Sequence, residues 1–403
     1  MRWPDTWKDP AALDLLKGTA IDYLLIAKGD EFAGVRSRAP QLGIQVGDPD
    51  TAPAGVQILK GAWPGVQMAR GGGQGASAGP TGVPWVDSNG WAIRLNGALH
   101  PGTAAWVNAP PADNAYITAD SYLIAIADSA AYGGRWIVSL DPPLAQGLAA
   151  RRSASLATWN KLTAAAGFFA AHKNWADYTP VALAGVVSDF TGDNEFFSHE
   201  LLNLMGRAGL HYRILPKDKI SASSFESLRA VSYTDETPPG ADLRKRILEF
   251  VQAGGILIAA PKWGEVTGTP VSGAQQPGYS VRALGKGKIA LAEDAPVDPF
   301  SWAADAALLV SHRYDLVRFW NSGAACSFFT MAPDRKQALV HLLFYAARGP
   351  DSATVRIAGR YRAARASTVD DPKVANLAIE AQGDAVEVHL PQVSQYVALE
   401  LDI

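Results

Sequence analysis

The sequence predicts an α/β protein in three consecutive parts. These are a shortened or partial (β/α) barrel over residues 1–180, a doubly wound α/β domain over residues 181–335, and a small C-terminal β-sandwich over residues 336–403. In the first part, short apolar runs alternate with segments of helical periodicity. In the second part they alternate over shorter distances, and in the third part apolar and polar residues alternate with a period of two. The length of 403 residues agrees with two to three domains of about 150 residues each.

The first part contains short runs rich in β-branched, aromatic and leucine residues, and each run ends in a polar residue or a turn. The predicted strands are 20–27, 55–59, 83–87, 103–108 and 135–141. Helical patterns at 120–132 and 153–172 lie between or after them, the second with Ser153 as its expected N-cap. Because a complete eight-stranded barrel usually needs about 250 residues, the barrel is predicted to be partial.

A glycine-rich stretch, residues 71–82, separates two of these strands. A phosphate-binding loop needs a lysine and a hydroxyl at the start of a helix, or a GxGxxG turn that opens one. Pro80, Pro84 and the strand predicted after them exclude a helix at this place. The stretch therefore predicts a flexible loop and not a phosphate site.

The second part alternates strands and helices over shorter distances, which indicates an open, doubly wound sheet. Gly254 and Gly255 end its second helix before a buried strand. The predicted strands are 181–189, 211–215, 228–233 and 256–260, and the predicted helices are 194–207 and 241–251.

The third part is predicted to begin with a helix over residues 337–348. Segments of period-two alternation follow, separated by turn residues, which is typical of antiparallel strands. These segments are 354–357, 375–379, 385–390 and 396–401. They predict a small sandwich.

The composition excludes several classes of function. Apolar residues make up 48% of the chain and charged residues 19%, which indicates a folded globular protein. The 36 Lys and Arg against 39 Asp and Glu leave a net charge of −3, so we expect no nucleic-acid partner. The chain has neither an apolar run of about eighteen residues nor a signal-peptide pattern. We therefore expect a soluble chain without a membrane partner, in a compartment that the sequence does not identify.

Metal and cofactor chemistry finds little support. Cys326 is the only cysteine, so neither an intramolecular disulfide nor a four-cysteine zinc site can form. The seven histidines follow no HxH or HExxH spacing. We therefore expect neither a bound metal nor a cofactor.

Several segments carry a resemblance to a known family. The helix, Gly254-Gly255 and the run ILIAA at 256–260 look like the glutamine-amidotransferase-like fold of β-galactosidases with a trimerisation domain. Further similar segments are GKGKI at 285–289, Asp298-Pro299, RFWN at 318–321, Leu390-Pro391 and YVAL at 396–399. The order of the three parts also resembles that family. The resemblance implies a glycoside hydrolase with a carbohydrate substrate.

Two features depart from the family's pattern. An active amidotransferase needs a nucleophilic cysteine on a sharp turn after a strand. Here Pro261-Lys262-Trp263-Gly264 follows the strand 256–260, so amidotransferase chemistry is not expected. The family's paired glutamates on late barrel strands have no evident counterpart either, so its catalytic residues cannot be transferred by analogy.

Three carboxyl groups follow predicted strands, where barrel enzymes place their catalytic residues. Glycoside cleavage needs one carboxylic acid to protonate the leaving oxygen and one carboxylate as nucleophile or base. The predicted catalytic residues are Asp87, Asp141 and Glu195. Each has a structural alternative: an Asx-turn at Asp87, an N-cap before Pro142 at Asp141, and a dipole-favoured position at a helix N-terminus for Glu195.

Aromatic and amide groups near the strand ends suit a sugar, because an indole ring stacks on a sugar face and an amide bonds its hydroxyl groups. The predicted substrate-binding residues are Trp63, Asn89, Trp91, Trp106 and Asn108. Each tryptophan alone also fits a core position, whereas together they predict a platform for a sugar.

Two functions remain open. The first is a glycoside hydrolase acting on a glycoside or polysaccharide, with a carboxylate pair at the barrel mouth. The second is a non-catalytic carbohydrate-binding or assembly protein on a decayed glycosidase fold. In either case a partial barrel leaves sheet edges or apolar surface to be covered, so we expect a homo-oligomer.

Overall fold

The structure is a computed structural model that describes residues 1–67, 69–70, 76–77, 85–271, 273, 276–295, 298–346, 351–370 and 373–403. Most of the predicted glycine-rich loop 71–82 lies outside the described residues, and so do the first two residues of the predicted strand 83–87.

The first part consists of short strands and α-helices in alternation. Its helices are α1 (Ala33–Arg38), α2 (Gly90–Leu99), α3 (Ala119–Ala131), α4 (Pro142–Ala149) and α5 (Ser153–Ala171). Its strands are β1 (Tyr23–Leu25), β2 (Gln45–Gly47), β3 (Val56–Lys60), β4 (Gly65–Gln67), β5 (Ala69–Arg70), β6 (Ala76–Ser77), β7 (Trp85–Asp87), β8 (Ala104–Asn108) and β9 (Arg135–Trp136). The helix predicted at 153–172 has Arg152 at its N-cap position, without a capping hydrogen bond from that side chain, and Ser153 is its first residue.

Parallel strands form one row of hydrogen-bonded segments. β1 pairs with β2, and β8 pairs with both β3 and β9. The two groups are joined by Arg2, which bridges to Leu25 after the start of β1 and donates its backbone N–H to the Val138 carbonyl at 2.8 Å. β2 and β3 stand at the two ends and do not pair with each other, so the described residues close no barrel.

β7 does not belong to this row. It pairs antiparallel with β4, with Asp87 opposite Gly65. The reading of residues 83–87 as a third barrel strand is therefore wrong for the described part, Trp85–Asp87. A short apolar run alone does not reveal which strand it pairs with.

The second part is an α/β layer around one sheet. Its helices are α6 (Glu195–Arg207), α7 (Ala241–Ala253) and α8 (Pro299–Val310). Its strands are β11 (Ala184–Ser188), β12 (Tyr212–Pro216), β13 (Ala230–Tyr233), β14 (Ile256–Ala259), β15 (Thr269–Pro270), β16 (Tyr279–Leu284) and β17 (Gly287–Ala292), and they follow β10 (Thr179–Pro180), which joins another sheet. The strand order is β12-β11-β13-β14-β17-β16-β15, parallel from β12 to β17 and antiparallel beyond. Gly254 ends α7 with a φ of 127°, as its position before a strand predicts.

The third part contains two antiparallel sheets. Its strands are β18 (Val317–Phe319), β19 (Ala325–Met331), β20 (Gln337–Phe344), β21 (Ala353–Ala358), β22 (Ala363–Thr368), β23 (Ala375–Leu377), β24 (Ile379–Gln382), β25 (Ala385–Leu390) and β26 (Tyr396–Asp402). One sheet has the order β10-β19-β20-β26-β22-β23 and the other β18-β21-β25-β24. β18 and β19 precede the boundary predicted at residue 336, yet they pair with strands that follow it.

The helix predicted at 337–348 is wrong, because residues 337–344 form the strand β20. Seven of its eight residues are buried, from Ala338 to Phe344. A strand covered on both faces reads as a continuous apolar run, which resembles a buried helix in the sequence.

The six-stranded sheet is covered on both faces. Val340 and Leu342 lie in a core shared with Val355 and Val388 of the four-stranded sheet. The other face, with Leu339, Leu343 and Tyr396, shares a core with α3 and α5 of the first part. Each such fully buried side chain stabilises the packing by roughly 1.5–3 kcal/mol, so the third part is held firmly against the first.

None of the helices in the described part of the chain is both long and apolar enough to span a bilayer.

Candidate functional site

The end of β7 is attached to α6 of the second part. Ser88, directly after Asp87, donates its hydroxyl hydrogen bond to Asn203 Oδ1 at 3.0 Å. Asn203 is buried in the middle of α6, and Ser88 is half-buried. This bond brings Asp87 beside the face of α6 that packs on the first part.

Glu200 lies one helical turn before Asn203 and therefore faces the same side of α6. Its side chain is half-buried, and its Oε2 atom is buried without a hydrogen bond to any of the described residues. Burial, and then the nearby charge of Asp87, raise the pKa of the Glu200 carboxyl above its usual value. Two neighbouring carboxyl groups in different surroundings can divide acid and base roles between them.

Aromatic and cationic side chains surround the two carboxyl groups. Trp91, at the start of α2, contacts the ring of His199 with 5.1 Å between ring centroids. Burial lowers the pKa of His199. Burial also lowers the pKa of Arg207, an effect opposed in part by the charge of Asp87. We call Asp87, Trp91, His199, Glu200 and Arg207 the junction site.

A small cavity adjoins the junction site. Its volume is about 30 Å³, and its lining includes Ser88, Trp91, Arg94, Asn203 and His211. This is the size of a single water molecule. The cavity is therefore too small to hold a sugar ring.

Asp141 lies away from the junction site and caps α4. It is fully buried, and its Oδ1 accepts a hydrogen bond from the Leu144 backbone N–H at 3.1 Å. Tyr122 donates its hydroxyl to Asp141 Oδ2 at 3.1 Å and accepts the Asp141 backbone N–H at 2.8 Å. The placement matches the N-cap alternative that Pro142 indicated.

Glu195 is the first residue of α6 and is exposed. It lies close enough to His199 for its charge to oppose the lowered pKa of that ring. Its position at the helix N-terminus matches the dipole alternative. Of the three predicted catalytic carboxyl groups, only Asp87 lies at the junction site as defined here, although Glu195 starts the same helix as Glu200.

Asn89 belongs to a buried hydrogen-bond network. Its Nδ2 donates to Asp128 Oδ2 at 3.0 Å and to the Ala62 carbonyl at 3.0 Å, and its Oδ1 accepts the Ala62 N–H at 2.9 Å. Tyr345 of the third part donates its hydroxyl to Asp128 Oδ1 at 2.7 Å. Both the oxygen and the nitrogen of the Asn89 amide thus have hydrogen-bond partners within the protein.

The predicted tryptophans pack into three different hydrophobic clusters. Trp63 contacts Trp136 at 4.9 Å, Trp91 packs on His199, and Trp106 contacts Tyr23 at 5.1 Å between centroids. The ring contacts of the described residues include no pair among these three tryptophans.

Two polar atoms of the predicted substrate-binding set are buried without a partner. Asn108 Oδ1, at the carboxyl end of β8, and Trp63 Nε1, after β3, form no hydrogen bond with the described residues. The Gly61 N–H donates to the Asn108 carbonyl at 3.0 Å, which holds the two strand ends together. The assignment of Asn108 and Trp63 to substrate binding stays a prediction.

Groups able to hold a metal ion are absent from the described ranges: no three His, Cys, Asp or Glu side chains lie together there. Cys326 is buried in β19, and burial raises the pKa of its thiol to about 12. At neutral pH it therefore carries its proton and is a poor nucleophile.

Sequence reasoning missed Glu200, because no local pattern distinguishes it from a surface glutamate on an amphipathic helix. The helix 194–207 was predicted, with Phe197, Leu201, Leu204 and Met205 on its apolar face. Glu200 lies one turn before Leu204, at the edge of that face, and this position is the one available signal.

Comparison of the sequence with protein-family models and with curated proteins gives no match. Among solved structures, the chain is similar to alpha-L-fucosidase isoenzyme 2 from Paenibacillus thiaminolyticus, with a TM-score of 0.52 and 10% identity over 74% of this chain and 60% of that chain. A rhamnosidase from Novosphingobium sp. PP1Y gives a TM-score of 0.51 and 12% identity over 93% of this chain and 38% of that one. A beta-galactosidase from Rahnella sp. R3 gives a TM-score of 0.50 and 12% identity over 78% of this chain and 57% of that one.

The chain spans less than two thirds of the length of each of these three proteins. At 10–12% identity the similarity concerns the fold alone. The predicted resemblance to glycoside hydrolases is confirmed at that level: the chain has a fold similar to that of glycoside hydrolases.

Proposed function

We propose that the protein hydrolyses a glycoside at the junction site, with Glu200 as the general acid and Asp87 as the nucleophile or base. The observation that carries this proposal is the Ser88–Asn203 hydrogen bond, which fixes the end of β7 against α6 and so sets Asp87 beside Glu200. The proposal keeps Asp87 and the idea of a carboxylate pair from the sequence, replaces Asp141 and Glu195 by Glu200, and moves the pair from the barrel mouth to the junction of the first two parts.

The electrostatics suit the two roles. A general acid must hold its proton near neutral pH, and burial beside Asp87 favours the protonated form of Glu200. The second carboxyl must be ionised, and the guanidinium of Arg207 interacts favourably with a charged Asp87. Trp91 supplies a half-buried indole face on which a sugar ring can stack.

The test uses two substrates of one sugar that differ in the leaving group, a 4-nitrophenyl glycoside and a methyl glycoside. Asp87→Asn is expected to reduce turnover of both by at least about a hundredfold. Glu200→Gln is expected to reduce turnover of the methyl glycoside far more, because 4-nitrophenolate leaves without protonation. In the wild type, turnover of the methyl glycoside should decline as the pH rises through the pKa of Glu200, whereas turnover of the nitrophenyl glycoside should show no such decline.

Glu249→Gln, an exposed carboxyl on α7, is the matched control and should change nothing. Wild-type rates in Asp87→Asn and Glu200→Gln would contradict the proposal. A large loss in Glu195→Gln, with Glu200→Gln active, would favour the acid that the sequence predicted.

A second candidate is a non-catalytic carbohydrate-binding or assembly protein. The hydrogen bonds that Asp141 and Asn89 form within the protein favour it, since they give both residues a structural role. Binding of a polysaccharide without turnover of any aryl glycoside would select this function.

A further inference from the structure

A cavity of about 280 Å³ lies beside the first residues of β1 and β9, away from the junction site. The last turns of α3 and α5 form its other wall. An apolar cavity of about 150 Å³ is large enough to bind benzene. This cavity therefore has room for a ligand of roughly a dozen non-hydrogen atoms.

Several aromatic rings contribute to the wall of this cavity. It includes Tyr23, Trp106, Trp136, Phe169 and Trp175. Tyr23 and Trp106 meet edge to face, and His172 stacks on Trp175 with 4.2 Å between centroids. Rings fixed by such contacts keep their positions without a ligand, so the cavity is preformed for a flat apolar body.

The charged residues of the lining leave an excess of positive charge. Arg135 forms a two-pronged ion pair with Asp22, with both N–O distances 2.9 Å. Lys173 lines the same cavity, is exposed, and forms no ion pair with the described part of the chain. A carboxylate is the group that these cations would bind.

We propose that this cavity binds a small monoanionic ligand with a flat apolar body, such as an aryl carboxylate. The apolar body lies among the rings of Tyr23, Trp106 and Phe169, and the carboxylate lies near Arg135 and Lys173. The proposal does not depend on glycoside hydrolysis, because none of the junction-site residues lines this cavity.

The test is a calorimetric titration of the full chain with 2-naphthoate, alongside the neutral 2-naphthalenemethanol and a methyl glycoside. We expect saturable binding of 2-naphthoate at one site and at least tenfold weaker binding of the alcohol. Lys173→Gln should weaken 2-naphthoate binding up to about fivefold, the range expected for one exposed charge, and should leave alcohol binding unchanged.

Variants that fill the cavity locate the site. Ala166→Phe on α5 places a ring in the cavity and should abolish binding, whereas Ala164→Phe, on the exposed side of the same helix, should not. Ala130→Leu fills the same space from α3, so the test remains valid if Ala166→Phe fails to fold. Undiminished binding in a folded filled variant, equal binding of acid and alcohol, or stronger binding of the glycoside would each overturn the proposal.

Discussion

Asp128 carries a carboxyl group that is completely buried between the first and third parts. It accepts hydrogen bonds from the Asn89 backbone N–H, the Asn89 amide and the Tyr345 hydroxyl, at 2.8, 3.0 and 2.7 Å. Burial raises its pKa to about 6, although these hydrogen bonds favour the charged form. The group thus links the two parts and also makes their association sensitive to pH.

The sign of this pH dependence follows from the raised pKa. The folded protein holds the Asp128 proton up to about pH 6, whereas the unfolded chain loses it near pH 3.8. The free energy of unfolding should therefore fall as the pH rises from about 4 to about 6 and then become level. For this one group the loss between pH 4.5 and 7 is about 2 kcal/mol.

Asp128→Asn should remove that loss, because an amide of the same shape keeps an acceptor for Asn89 and does not ionise. The measurement is urea unfolding of wild type and variant at pH 4.5 and 7, and the difference between the two proteins isolates this group from other titrating residues. An identical pH dependence in both proteins would show that Asp128 is not the titrating group.

At the scale of elements, about half of the helices and strands that the structure describes were predicted from periodicity. The helices predicted at 120–132 and 241–251 correspond to α3 and α7 within a few residues, because their apolar faces repeat every three to four positions. The strand β20 could not be predicted in this way, because burial of both its faces removes the alternation that identifies a strand. The pairing of β7 with β4 could not be predicted either, since tertiary contacts determine which strands pair in a sheet.

Two variants of Asp141, the residue at the N-terminus of α4, distinguish its structural role from a catalytic one. Asp141→Ala removes the acceptor for the Leu144 N–H and for the Tyr122 hydroxyl, and we expect a loss of about 1–2 kcal/mol in the free energy of unfolding. Asp141→Asn should reduce the free energy of unfolding far less, because asparagine is an equally good N-cap. Denaturant unfolding of both variants measures this difference. A hundredfold loss of glycoside turnover in Asp141→Asn at unchanged stability would instead support the catalytic role predicted from the sequence.

At the scale of the whole molecule, the junction site depends on how the parts are assembled. Ser88 and Asn203, which join β7 to α6, are 115 residues apart in the sequence. Asp87 and Trp91 could be proposed from local sequence, because each stands near the end of a predicted strand. Glu200 and Arg207 could not, since the contacts that bring α6 against the first part leave no local pattern.

The row of parallel strands in the first part ends at β2 and β3, and among the described residues neither strand has a further partner on its outer side. The third part covers the helices α3 and α5 but does not pair with either end of the row. An unpaired edge of this kind readily pairs with another chain. The edge β3 also has two half-buried apolar residues, Val56 and Ile58, on one face.

We therefore expect a symmetric homo-oligomer in which the β3 edge is covered by a neighbouring copy, over an interface of at least about 1,000 Å². Light scattering at micromolar concentration should give a multiple of the 42.7 kDa chain mass. Ile58 also packs against Leu25, Trp106 and Ile137 of its own chain, so the comparison uses variants whose circular dichroism spectrum matches the wild type. In a folded variant, Ile58→Lys places a charge on the apolar face of β3 and should shift the mass toward the monomer, whereas Gln57→Lys, an exposed position, should not. A wild-type mass of 42.7 kDa would contradict the oligomer, and dissociation by Gln57→Lys alone would place the interface on the other face of β3.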